Sequence, residues 1–301
     1  FLASLEELLV LQGQLFLLIL LGMFFRRYLL SAETQSGLTA LVVDLVLPCN
    51  IIMSFQMEPQ DGLAGLAGTT FLISVGVQVV SWILAKTLFA RCADDKRAVL
   101  QYSTLCSNAG FLGMPLAEGL FAGSGIFLAS IYLIPQRVAM WTIGLGFFLG
   151  KQGKSWKKVA LNPCLLAVAA GILLLAFQIH LPLPLSNTIT SLGKCNTALS
   201  MFLVGMIIVP VHGKDFMDPL ILGYCAVRLI LIPLIVLVIC RLLAMENLPT
   251  QVSVLLSAMP AGATSALLAE KYHGNAQFAA GCVTVSTVLS LIATAAWCAV
   301  M

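Results

Sequence analysis

The chain has 301 residues, of which 60% are hydrophobic and 10% charged, against about a quarter charged in soluble domains. Its mean hydropathy of +1.01 is that of a polytopic membrane protein. The formal net charge of +3 comes from basic residues scattered over short loops, which excludes the concentrated basic face of a nucleic-acid binder.

At about 20 residues per crossing, the apolar runs predict ten spans: Leu5–Phe25, Gly37–Gln56, Leu63–Ala90, Lys96–Phe121, Gly125–Gly150, Val159–Ile179, Leu185–Val209, Leu220–Leu243, Pro249–Tyr272 and Ala276–Val300. No basic segment precedes the first apolar run, so span one reads as a retained helix rather than a cleaved signal. It ends where Gly22 leads into the pair Arg26 and Arg27. Span two holds Asp44 and then Pro48-Cys49-Asn50, which predicts a bend or unwinding. Span three is dotted with Gly65, Gly68, Ser74 and Gly76, permitting close helix contact. Span four is interrupted over Ser107-Asn108-Ala109-Gly110-Phe111-Leu112-Gly113-Met114-Pro115. A short Gly123-Ser124-Gly125 link leads to span five, with Pro135-Gln136-Arg137 near its middle. The basic stretch 151–158 falls at the midpoint and divides the chain into halves 1–150 and 159–301.

Span six opens at Asn162-Pro163. Span seven contains Lys194, Asn196 and Gly205, and Pro210 closes it. Span eight carries Arg228 five residues before Pro233. Span nine is interrupted over Ser257-Ala258-Met259-Pro260-Ala261-Gly262-Ala263-Thr264, and span ten is smooth.

The two interruptions align. Residues 109–118 and 261–270 match at five of ten positions, at a constant offset of 152. Broken backbone survives in a bilayer only where protein or a water-filled cavity surrounds it. Two interrupted spans in corresponding places are the mark of a repeat-built transporter with its site at the breaks. Five spans per half, an odd number, invert the second half. If the spans alternate, Arg26, Arg27, Arg91, Lys96, Arg97, Lys151, Lys154, Lys157, Lys158, Lys214 and Lys271 share one side. Arg241, Glu58 and Asp61 take the other. The basic side is expected to be cytoplasmic, which puts both termini outside. The nine cysteines contain no CxxC pair and read as small buried hydrophobes. His180, His212 and His273 make no metal set. Neither a P-loop nor a hydrolytic triad is present, so the sequence points to no cofactor and to no enzyme.

Gly22 with its Arg pair, Leu47-Pro48, the 108–115 break, Asn162-Pro163, Pro233, and Ala258 to Tyr272 occur in an order that resembles the auxin efflux carrier (PIN-like) family in its short bacterial branch. The resemblance covers essentially the whole chain. It implies an all-α fold of ten transmembrane helices in two inverted five-helix repeats, with helices four and nine crossing at their breaks. It further implies a scaffold of helices one, two, six and seven, a transport domain of three to five and eight to ten, and a homodimer through the scaffold. Family members move organic anions such as auxin, malate, malonate or oxalate; the short central loop here disfavours auxin.

An ionisable residue inside a span is costly and is a functional hypothesis by default. Arg137 lies about 18 Å into span five at 1.5 Å per residue, and its guanidinium can fork to a carboxylate. It suits substrate binding, or a structural pair with a carboxylate such as Asp44. Asp44 reads as counter-ion to Arg137, Lys194 or Arg228, or as a proton carrier. Lys194 and Asn196 sit early in span seven, where the lysine binds substrate or snorkels outward. Arg228 pairs within the transport domain or touches substrate. Asn108, at a helix break, satisfies unwound backbone or binds a carboxylate; Asn50 is a weaker candidate of the same kind. Gly110, Pro115, Pro260 and Gly262 mark the breaks themselves, and Glu118 and Glu270 end the two broken helices as gating or interfacial partners.

The expected protein is thus a secondary or facilitative carrier of small organic anions, resident in a bacterial-type inner membrane, with possible coupling to protons through Asp44. The alternative is a membrane sensor of the same fold that binds its ligand without net transport.

Overall fold

Prolines decide where these apolar runs bend. A proline lacks the amide donor, and its ring collides with the carbonyl four residues earlier. A single π-helical turn, which shifts hydrogen bonding by one residue, relieves that collision. The computed structural model describes residues 2–56, 63–149, 161, 163–209 and 218–301. In it, π turns at Val42–Val46, Ala109–Gly113 and Val227–Leu231 each end two residues before a proline: Pro48, Pro115 and Pro233. The expected bend of span two is therefore a widened turn rather than an unwound one. The basic connector 151–158, together with Glu58, Asp61, Asn162, Pro210, His212 and Lys214, lies outside the described residues.

The helices in chain order are α1 (Leu2–Tyr28), α2 (32–55), α3 (Ala64–Leu88), α4 (Asp94–Leu105), α5 (109–149), α6 (Pro163–Ala176), α7 (Leu183–Ile208), α8 (219–242), α9 (Asn247–Ser257), α10 (Thr264–Lys271) and α11 (Ala276–Val300). No strand occurs among the described residues. Among the described residues, six stretches are long and apolar enough to cross a membrane: Ala32–Met53, Gly65–Leu88, Gly123–Leu149, Leu183–Ile208, Pro219–Leu242 and Ala276–Val300. Large apolar side chains such as Leu72, Trp82, Ile230 and Ile292 are exposed along them, the surface that hydrocarbon rather than water would cover.

The interruption of span four is at Cys106–Asn108, between α4 and α5. Pro115 is the seventh residue of the following helix, just past its π turn, so the break precedes the proline instead of coinciding with it. The second interruption separates α9 from α10. The two breaks meet: Ser107 and Ala261 form an antiparallel bridge, and the Asn108 amide donates to the Pro260 carbonyl at 2.7 Å. Around them the core is fully buried, with Leu100, Ala109, Leu255, Met259 and Ala266 at zero exposure.

The Gly123-Ser124-Gly125 link differs from expectation in kind. Helical hydrogen bonding continues through it, yet a side chain on Gly125 would strike the Ala117 carbonyl. In a straight helix those residues would stand about 12 Å apart. The chain bends sharply here, and glycine, with no side chain, allows that approach.

At the start of α8, Asp218 caps the Leu220 amide at 2.9 Å and pairs with Lys96 of α4 at 2.7 Å. Lys96 also lies 4.9 Å from the Phe278 ring centre. Burial pushes the Asp218 carboxyl upward, but the Lys96 hydrogen bond, the Leu220 amide and the Lys96 charge outweigh it and hold it below the ordinary carboxylate value. Its stabilisation is therefore present above the unfolded pKa of about 3.9 and is lost as pH falls through the lower native value. Asp218→Asn keeps the cap and loses the pair. It should cost about 0.2–1 kcal/mol at pH 7, with unfolding curves of variant and wild type converging toward pH 3.

Candidate anion-binding cavity between the helix breaks

A cavity of about 420 Å³ lies between α2, α5, α7 and the two breaks. Of the residues singled out from sequence, Arg137, Asn108, Asn50, Lys194, Asn196, Gly110 and Gly262 line it. Pro260, Asp44 and Arg228 do not. The helices that begin at the breaks, α5 and α10, both start at its wall, through Asn108 and Gly110 on one side and Gly262 to Thr264 on the other. Each presents the positive end of a helix dipole there.

The polar side chains divide into those already engaged and those left over. Gln136 is engaged: its amide donates to the Ser107 carbonyl at 2.8 Å and its oxygen accepts from the Ser107 hydroxyl at 3.2 Å, fixing the first break. Asn50 is engaged too, its amide donating to the Gly193 carbonyl at 3.2 Å, so its role is to hold α2 against α7. Asn196 accepts from Ser200 at 2.9 Å through Oδ1. What remain are donors. Asn108 Nδ2, Arg137 Nη1, Trp141 Nε1 and Asn196 Nδ2 are all buried without a hydrogen-bond partner among the described residues. A buried donor left unpaired costs about 1–3 kcal/mol, so four on one cavity ask for a ligand rich in acceptors.

Charge points the same way. Arg137 forms no salt bridge among the described residues; its guanidinium carbon lies 5.9 Å from the centre of the buried Phe55 ring. A π face attracts the cation without neutralising it. Lys194 is exposed at the rim. The arrangement is a cationic, donor-lined chamber with an apolar floor, suited to an acceptor-only anion.

Two expected pairings take a different form. Asp44 is bound by Lys271 of α10, not by Arg137, Lys194 or Arg228. Next to it, Gln35 donates to Glu270 at 2.9 Å and accepts from Arg26 at 3.2 Å. Arg228 has no carboxylate partner among the described residues. It is 1% exposed, and donates to the Met259 carbonyl at 3.0 Å and the Thr104 carbonyl at 2.9 Å. Trp141 is the contributor that the sequence reading missed. It lies one helical turn beyond Arg137 on the same face of α5, which is the one signal that could have found it.

A sequence model of the family described as "Membrane transport protein" matches residues 10–155 and 148–298. The chain belongs to this family. It is the auxin efflux carrier family that the ordered motifs resemble, and the protein is accordingly an integral membrane transporter. This membrane transport protein is 26% identical over 296 residues to an uncharacterized transporter of Methanothermobacter thermautotrophicus, covering 94% of the chain and 95% of that relative. It is 23% identical over 295 residues to an uncharacterized transporter of Methanocaldococcus jannaschii, covering 93% and 94%. Both relatives are archaeal, where the motifs had pointed to a bacterial branch. The two matched stretches of this transport protein overlap at 148–155.

Proposed function

We propose that the protein carries small organic anions, carboxylates above all, by alternating access, with the anion seated in the cavity between the two helix breaks. The observation that carries this reading is the set of four buried N–H donors, Arg137's among them, that have no partner among the described residues, where Arg137 also finds no counter-ion. A carboxylate offers only acceptors, so it answers every one of those donors at once. The two half-helix starts add partial positive charge without adding a side chain.

The rim of the cavity is bordered by the exposed Gln56 and Lys194, which makes that end the mouth in this state. Elsewhere α2 is tied to α10 through Asp44–Lys271 and Gln35–Glu270. In the proposed cycle these ties part when α10 moves, with the breaks, relative to α2. Neither Asp44 nor Lys271 lines the cavity. Asp44→Asn and Lys271→Met are therefore expected to change transport rate and leave anion affinity alone. The pair is part-exposed, with side chains 45% and 21% accessible, so it contributes about 0.2–1 kcal/mol. That is a shift of up to about fivefold in the balance of states. The charge-swapped double variant, Asp44→Lys with Lys271→Asp, should return the rate toward wild type.

Uptake of radiolabelled malate, malonate and oxalate into proteoliposomes, with and without a pH gradient, tests the reading. Saturable uptake of at least one supports it. Binding without uptake under any gradient would make the protein a sensor, and indifference to all carboxylates would remove the anion assignment.

A further inference from the structure

Where two broken helices cross, four helix ends meet. The starts of α5 and α10 are positive and the ends of α4 and α9 are negative, each by about half a charge. In carriers built this way, freed carbonyls and negative helix ends are where a coupling cation binds. In this protein that place is taken. Arg228 reaches from the π turn of α8 and donates to Thr104 near the end of α4 and to Met259 just beyond α9. The Thr104 carbonyl would ordinarily accept from the Asn108 amide four residues on, but that amide is spent on Pro260. Arg228 supplies the donor that the break withdrew. It does not line the cavity.

We propose that Arg228 is a tethered cation standing in for a coupling ion: it covers the negative helix ends at the crossing, leaves the positive ends facing the cavity, and so makes anion binding independent of sodium. Arg228 is a positioning residue on this account, and the inference rests on the anion reading above. A guanidinium fits the task because it stays charged and can donate to both carbonyls from one rigid plane. Without it, two orphaned carbonyls and about one unit of negative dipole charge would lie behind the bound anion.

The test is equilibrium binding of radiolabelled malonate, malate and oxalate to purified protein in choline chloride, followed by additions of sodium or of low, non-denaturing guanidinium. Wild type should bind one of these equally well in choline and in sodium. Arg228→Ala should bind it at least about tenfold more weakly in choline, and guanidinium or sodium should recover most of the loss. Arg228→Lys should retain affinity within about threefold with no added ion, because its charge remains. Wild-type binding that requires sodium would overturn the inference even if no variant folds. So would an Arg228→Ala protein that binds as wild type does, or one that no cation rescues while Arg228→Lys is equally impaired. Wild type that binds no carboxylate in either salt would instead defeat the anion reading itself.

Discussion

Arg137→Gln is expected to reduce anion affinity by about a hundredfold or more and to stop transport at substrate concentrations that saturate the wild type. The magnitude follows from what the residue leaves behind. Truncating one partner of a buried, hydrogen-bonded charge pair costs about 2–5 kcal/mol, and the bound carboxylate would be that partner. The cavity would still offer Asn108, Asn196 and Trp141 as neutral donors, so residual binding is expected. Arg137→Lys should fall between the two, since an ammonium preserves charge but cannot fork to both carboxylate oxygens. Folding should survive both changes, because Arg137 forms no ion pair among the described residues whose loss would leave a carboxylate stranded. A neutral amide analogue of the substrate provides the control. Its binding should be weak in wild type and little changed by the substitution. Binding isotherms for acid and amide on the three proteins separate these outcomes. Equal acid affinity in Arg137→Gln and wild type would remove Arg137 from the site.

Much of this site was legible because polar residues inside apolar runs are conspicuous. Arg137, Asn108, Lys194 and Asn196 each stood out on cost alone, and they converge on one cavity although 57 positions separate Arg137 from Lys194. The breaks were legible for a similar reason, since Asn108, Pro115, Pro260 and their glycines interrupt sequence that otherwise reads as continuous helix. What escaped has three physical origins. Trp141 reads as an ordinary core aromatic, and nothing in its type reveals an indole N–H without a partner. Arg228 was visible as a buried charge, but its partners are backbone carbonyls, which every residue carries and no sequence pattern marks. Asp44 stood out as a counter-ion or a proton carrier, but Lys271, which pairs with it, lies 227 residues away, and the cations inside the spans were Arg137, Lys194 and Arg228. The turn at Gly125 and the π turns before Pro48, Pro115 and Pro233 were legible as disturbances only. Whether a proline breaks, kinks or merely widens a helix depends on what packs around it.

The packing of α1 on α7 leads to the second large expected effect. A side chain on Gly22 would strike the Phe202 carbonyl, and one on Gly205 would strike the Ile19 carbonyl. The contact is reciprocal, three residues apart on each helix, and both obstacles are backbone. No flexible side chain can swing away, so even a methyl group must push the helix axes apart. Small residues at such crossings are what let membrane helices touch closely, since lipid offers them no hydrophobic drive to associate. Gly22→Ala and Gly205→Ala are each expected to destabilise the protein by about 1–3 kcal/mol. Gly13→Ala is the matched control, because nothing lies within 4 Å of the added carbon and alanine is the better helix former by about 1 kcal/mol. Thermal unfolding in detergent should fall for the first two and stay level or rise for the third. The effect should not stop at stability. Helix α7 carries Lys194 and Asn196 into the cavity some two to three turns from Gly205, so a displaced α7 moves donors relative to Arg137. Anion affinity should therefore weaken in Gly205→Ala and stay unchanged in Gly13→Ala. Unchanged unfolding of Gly22→Ala and Gly205→Ala would mean that α1 and α7 do not pack backbone to backbone.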